Sequence, residues 1–196
     1  LDYAREKGAR IVVMPLEGQR PLGHKFESAL QRAVDAGMVI VIAAGNESAP
    51  YPSYPARYAA DPRYAGAIAV AGAANMDGTM AKWSNRAGST RPYFLLAPGV
   101  KVLSDCDDQF CKAVSGTSFA TPYVAGGLAL IMEARPEISG KDALKVLLRN
   151  AFRRGTSERV GRGNLNIGTA FYQLRIKRVP NLPEQEAQQD APQQPS

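Results

Sequence analysis

One serine carries the strongest constraint in this chain. Ser118 stands in the run Ser115-Gly116-Thr117-Ser118-Phe119-Ala120-Thr121-Pro122, which leads through Tyr123-Val124-Ala125-Gly126-Gly127 into Leu128-Ala129-Leu130-Ile131-Met132. No charge interrupts this stretch until Glu133. A glycine turn and a proline suited to a first helical turn open it, which predicts a helix. A helix apolar on every side is expected to be buried. Free N–H groups and the helix dipole favour negative charge at its start, where Ser118 stands. Gly-Thr-Ser before a helix is also an ordinary N-cap, so these three residues alone do not separate a cap from a reactive serine.

Upstream, the pattern is that of an α/β domain. Residues 1–9 read as the end of a helix closed by Lys7-Gly8. Arg10 to Met14 is a short β-branched strand. From His24 to Ala36, Phe26, Leu30, Ala33 and Val34 share one helical face, and Gly37 ends it. Met38 to Ala44 is an unbroken apolar run, the mark of a strand buried on both faces of a parallel sheet. Strand, helix and strand at this spacing form a βαβ unit. Further strands are expected at Ala67–Ala71 and Phe94–Ala97, and a hairpin between Lys101 and Ser115. Ser139 caps a helix running to Ala151, with Ala143, Leu144, Val146 and Leu147 as its apolar set. Residues 1–172 read as one domain. Residues 173–196, dominated from Lys177 by Pro, Gln and Glu, read as a tail that buries no core.

Composition narrows the class. The chain has 196 residues, 45% hydrophobic and 21% charged, enough for one domain with a sizeable core. No apolar run reaches the length of a membrane span. The net charge of +6 gathers at Arg149, Arg153, Arg154, Arg159 and Arg162, and at Arg175, Lys177 and Arg178. Only Phe152 supplies an aromatic among them, so a solvated basic face is expected rather than a nucleic-acid surface. Cys106 and Cys111 stand with four residues between them in Cys-Asp-Asp-Gln-Phe-Cys. With the single His24 remote, zinc is not expected, and a disulfide across a hairpin competes with two free thiols. The chain starts with Leu, which reads as a processing or boundary site, with any signal upstream.

The longer string Gly116-Thr117-Ser118-x-Ala120-x-Pro122-x-x-Ala125-Gly126 resembles the nucleophile segment of the subtilisin-like serine proteases, the subtilases. Tyr123 departs from it, standing where the family usually has His. Ala43-Ala44-Gly45-Asn46 is similar to the family's Ala-Gly-Asn segment, Tyr54-Pro55 to its Tyr-Pro turn with a cis bond, Trp83-Ser84-Asn85 to Phe-Ser-Asn, and Ala97-Pro98-Gly99-Val100 to a further family phrase. Gly161-x-Gly163-x-Leu165-Asn166 resembles the closing segment before a last short helix. The resemblance implies the C-terminal part of a three-layer α/β domain, with a largely parallel sheet and a buried helix carrying the nucleophile.

It also implies roles. Ser118 attacks a peptide carbonyl, and Asn46 with the Ser118 N–H stabilises the oxyanion. Leu16, Glu17 and Gly18 form one wall of the primary specificity pocket, and Ala43, Ala44 and Gly45 the other. Glu17 departs from the family's Ser-Leu-Gly-Gly, where a glycine stands. Its carboxylate either draws Lys or Arg into the pocket or points to solvent and narrows the entrance. The mechanism needs Asp and His as well. His24, in Leu22-Gly23-His24-Lys25, matches neither the family's His motif nor its place, and no family-like Asp motif occurs. Both groups are expected before residue 1 or on another chain, the expected partner being the N-terminal part of the same domain. The alternative is a catalytically incomplete pseudoenzyme or peptide-binding module; the sedolisins, with Asp as oxyanion donor, fit Asn46 poorly. No metal ligand set or cofactor motif is visible, and calcium rests on the resemblance alone. The expected location is secreted or periplasmic, and the expected substrate is polypeptide.

Overall fold

The computed structural model describes residues 1–104, 106, 110–152 and 157–176. Arg153, Arg154, Lys177 and Arg178, and the tail from residue 177, lie outside the described residues. Four strands carry the structure: β1 (Ile11–Met14), β2 (Val39–Ala43), β3 (Ile68–Ala74) and β4 (Phe94–Pro98). They pair in chain order, all parallel, with Val41 opposite Val13 and Ala69, and Ala71 opposite Leu95. Every residue of β2 and β3 is buried, as a parallel sheet covered on both faces requires.

Alternate residues separate two cores. Val39, Val41, Ala69, Ala71, Leu95 and Ala97 face the helices α3 (Thr117–Ala134), α4 (Gly140–Arg149) and α5 (Ile167–Ile176), through Ala120, Val124, Leu128, Ile131, Leu144 and Leu147. Ile40, Ile42, Ile68, Val70, Phe94 and Leu96 face the opposite way, onto Leu30 and Val34 of α2 (Gly23–Asp35) and onto Tyr58 and Tyr64. The period of two follows from strand geometry and yields three layers, helices on each side of one sheet. Gly72 belongs to this packing, since a Cβ there would run into the Phe94 ring. A short helix α1 (Asp2–Glu6) precedes β1 and is tied to α2 by the bidentate Arg32–Asp2 pair.

The two sheet edges differ. The β4 edge is covered, because the Leu96 N–H donates to Gly163 O at 2.8 Å and the Leu165 N–H to Leu96 O at 2.7 Å. β1 forms the other edge, pairs among the described residues only with β2, and leaves Val13 40% exposed. Strands β5 (Val102–Ser104) and β6 (Lys112–Val114) make the expected antiparallel hairpin, and Cys106 and Cys111 are joined as a disulfide across its tip.

Three expectations need correction. Pro122 is not in the first turn of α3: the helix starts at Thr117, directly after the extended Gly116, so Pro122 falls in the second turn. Its missing N–H leaves Ser118 O without the i+4 donor, and the Thr121 hydroxyl donates to that oxygen instead at 2.8 Å. Nor is α3 buried on every side. The sheet, α4 and α5 do not reach round it, and Tyr123 and Leu130 stay 41% and 49% exposed. With Phe119, Pro122, Gly126 and Ile167 they line an apolar groove of about 620 Å³. Finally, α5 runs to Ile176, past the boundary expected at residue 172. Leu174 still has core to pack against, and its carbonyl accepts from Arg135 Nη2 at 3.2 Å.

Candidate active site

The candidate residues gather at the carboxyl ends of β1 and β2 and the N-terminus of α3, where open parallel sheets present their ligand sites. Ser118, half-buried, is the second residue of α3, so its N–H has no acceptor within the helix. Its hydroxyl donates to Pro15 O, just beyond β1, at 3.0 Å. The turn after β2 is bound directly to this helix start. The Gly45 N–H donates to Thr117 Oγ1 at 3.1 Å, and the Thr117 N–H donates to Asn46 Oδ1 at 2.9 Å.

That last bond fixes the Asn46 amide. A backbone N–H only donates, so the atom facing Thr117 is the oxygen, and the NH2 group points away from the helix. Nδ2 then donates to Glu17 Oε1 at 2.9 Å, and the Asn46 backbone N–H to Glu17 Oε2 at 3.1 Å. The carboxylate of Glu17 therefore reaches across from one expected pocket wall to the other. The residue as a whole stays exposed. Gly45, at φ +105°, has the carboxylate and Asn85 Nδ2 where a Cβ would stand, so only glycine fits. Partial burial pushes the Glu17 carboxyl above its ordinary value; the Asn46 amide opposes that rise and the neighbouring Glu47 charge adds to it.

The two expected walls are joined by one strap. Gly18 and Tyr54 exchange two backbone hydrogen bonds of 2.7 and 2.9 Å, and the Ser53 N–H donates to Ala44 O at 2.8 Å. The Tyr54–Pro55 peptide bond in this strap is cis. Ala43 and Ala44 are buried behind it, while Leu16 is 48% exposed at the rim.

Sequence reasoning noted Asn85 as part of a phrase but assigned it no task. It is fully buried and holds the turn from below. Its Oδ1 accepts from the N–H groups of Glu47 and Ala49 at 3.0 and 2.8 Å, and its Nδ2 donates to Glu47 Oε2 at 2.7 Å. Thr117, also fully buried, was likewise taken only as part of the string. An asparagine in a short polar phrase between apolar strands was the available signal, yet it does not say which backbone it will meet.

His24 lies elsewhere. It is exposed near the start of α2, and α2 packs on the face of the sheet opposite α3. No hydrogen bond joins a histidine to Ser118 among the described residues. Among those residues no three His, Cys, Asp or Glu side chains gather as metal ligands, and no helix is long and apolar enough to cross a membrane.

A serine at the head of a core helix thus stands beside a strand-end asparagine that the same helix locks in place, on an α/β sheet. The Subtilase family model matches residues 1–163, and the chain belongs to that family. It is 32% identical to subtilisin BL of Lederbergia lenta over 170 residues, covering 87% of this chain and 59% of that protein. To subtilisin DY of Bacillus licheniformis it is 32% identical over 174 residues, covering 87% and 60%. Among solved structures, a mutant of the protease domain of PatA superposes with a TM-score of 0.77 at 27% identity, covering 90% of this chain and 63% of that one. The prenylagaramide maturation protease PagA follows at 0.73 and 26%, covering 88% and 64%. The chain thus spans about three fifths of the length of these relatives.

Proposed function

We propose that this chain is the C-terminal part of a subtilisin-like serine endopeptidase domain that cleaves polypeptides through an acyl-enzyme on Ser118. The observation that carries the reading is the Thr117–Asn46 hydrogen bond, which aims the Asn46 NH2 group away from the helix that presents Ser118. In the reaction Ser118 Oγ gives up its bond to Pro15 O, loses its proton to a histidine and attacks the scissile carbonyl. The Ser118 N–H and Asn46 Nδ2 receive the oxyanion; the C–N bond then breaks as the histidine passes its proton to the leaving amine, and water, giving its proton to the same histidine, attacks the acyl-enzyme and releases the acid and the Ser118 hydroxyl. The walls Leu16–Gly18 and Ala43–Gly45 hold the residue before the cut.

The histidine and aspartate come from the N-terminal part of the domain, ahead of Leu1 in the same protein or on a separate chain. Two surfaces support this: the open β1 edge and the apolar groove on α3, both of which a further sheet-and-helix layer would cover. A secreted or periplasmic location is supported by the Cys106–Cys111 disulfide, which persists in oxidising compartments. Calcium remains an implication of the family and takes no part in these steps.

The test uses the intact enzyme. Ser118→Ala should abolish both fluorophosphonate labelling and peptide cleavage while leaving the thermal unfolding curve in place. Asn46→Ala should keep labelling but lower kcat by about 10²–10³, the cost measured for the equivalent donor in subtilisin. The isolated 196-residue chain should not cleave peptides. Robust cleavage by that chain alone would show that the base is not missing from it, and would overturn the assignment.

A further inference from the structure

Glu17 does more than line a wall: its carboxylate grips the one side-chain group that the proposed reaction needs free. Both Glu17 oxygens are engaged by Asn46, Oε1 by Nδ2 at 2.9 Å and Oε2 by the backbone N–H at 3.1 Å. The same N–H also lies 3.1 Å from Glu47 Oε2. Two carboxylates therefore lean on one donor. Glu47 is anchored there by Asn85 Nδ2 at 2.7 Å and Ser53 Oγ at 3.2 Å, whereas Glu17 accepts from the Asn46 side chain and backbone and lies against the Glu47 carboxyl itself. Neither acid has a basic partner among the described residues.

We propose that Glu17 is a latch on the oxyanion donor, opened by a substrate with Lys or Arg at the residue before the cut. This rests on the peptidase reading above. A cation entering between the walls meets two carboxylates held together against their mutual repulsion. It supplies Glu17 with a partner better than an amide, and Asn46 Nδ2 is then free for the developing oxyanion. An apolar side chain offers no such exchange. It either leaves Asn46 occupied or leaves the Glu17 carboxylate unpaired in the pocket, and both outcomes lower the rate. The basic residue is thus recognised twice, once in binding and once in assembling the catalytic group. The raised carboxyl of Glu17 agrees with a charge that is imperfectly compensated while the pocket is empty. Glu17 is a positioning residue here, acting through Asn46.

The experiment measures kcat and KM separately for the intact enzyme, Glu17→Gln and Glu17→Gly. The substrates are matched peptides with Arg, Lys, Leu or Phe before the cut. A hydrogen bond to a charged group corresponds to a factor of about 10–100. The wild type should therefore prefer Arg and Lys by about that factor in kcat/KM. In Glu17→Gly the preference should collapse and kcat on Leu and Phe substrates should rise by up to about the same factor. Glu17→Gln, whose neutral carbonyl still accepts from Asn46 but more weakly, should lose the basic preference and show an intermediate rise in kcat. If kcat on apolar substrates does not move in either variant, the latch is refuted even where the preference changes, because a plain pocket wall would move KM alone. An equal apolar preference in all three enzymes refutes any role of Glu17. If no form cleaves any peptide or takes a fluorophosphonate, the peptidase reading itself fails, and the latch with it.

Discussion

Asn85 offers the sharpest test of how the site is held. Replacing it with Ala removes two hydrogen bonds accepted from the Glu47 and Ala49 N–H groups and one donated to the Glu47 carboxylate. Of its other acceptors, Ala44 O keeps the Ser53 N–H and Ser53 Oγ keeps its bond to Glu47 Oε2. Two neutral bonds at about 1 kcal/mol each, plus one to a charged group at about 1.5–3, give a loss of about 3–5 kcal/mol. Water reaching the exposed Glu47 recovers part of this, while the emptied space around a fully buried side chain adds to it. For a domain of this size that loss lowers Tm by roughly 6–20 °C. The measurement is thermal and urea unfolding of the intact protein carrying Ser118→Ala, which prevents self-digestion, with and without Asn85→Ala. In the active background the rate of fluorophosphonate labelling should also fall, because the loosened turn carries Asn46. The control is Asn75→Ala, whose side chain donates to Thr79 Oγ1 at the surface and which should cost about 0.5 kcal/mol or less. A loss at Asn85 below about 1 kcal/mol would refute the claim that this one side chain holds the turn.

Two further outcomes are expected. Gly72→Ala should destabilise by about 1–3 kcal/mol through the clash with Phe94, and Phe94→Leu in the same molecule should recover part of it; a neutral Gly72→Ala in urea unfolding would contradict the packing described. The Glu17 carboxyl is raised above 4.5, chiefly by desolvation and with Glu47 as the charged neighbour that adds to the rise. Its ionised form is disfavoured by folding, so its contribution to stability is present below about pH 4.5 and is lost as pH rises through the raised value. Glu17→Gln should therefore gain stability relative to wild type between pH 4 and pH 7, read as a widening gap in urea midpoints. A gap that stays constant over that range would contradict the shift.

How much of this was legible beforehand depends on the range over which each feature is decided. The apolar pattern alone placed β1, β2 and α2 to within a residue or two: β2 because a strand buried on both faces has nowhere to put a polar side chain, and α2 because Leu30, Ala33 and Val34 return at the helical period. The Ser139 cap was legible for the same local reason, since its hydroxyl accepts from the Asp142 N–H three residues away. The subtilase resemblance brought Asn46 and Ser118 together as a pair, although they stand 72 positions apart and no local rule links them.

Other features were decided only when distant segments met. The start of α3 was misjudged because Pro122 looked like a first-turn residue; what lets the helix begin at Thr117 is the bond from the Thr117 N–H to Asn46, which no neighbour in sequence supplies. The uncovered face of α3 was invisible for a related reason: burial is a property of what surrounds a helix, and an apolar run does not state which of its sides will be met. The direction of Glu17 was open in the sequence, which held only a carboxylate where a glycine was expected. The tertiary structure turned it onto Asn46, because the parallel register of β1 and β2 sets the two strand ends side by side and leaves two amide donors within its reach.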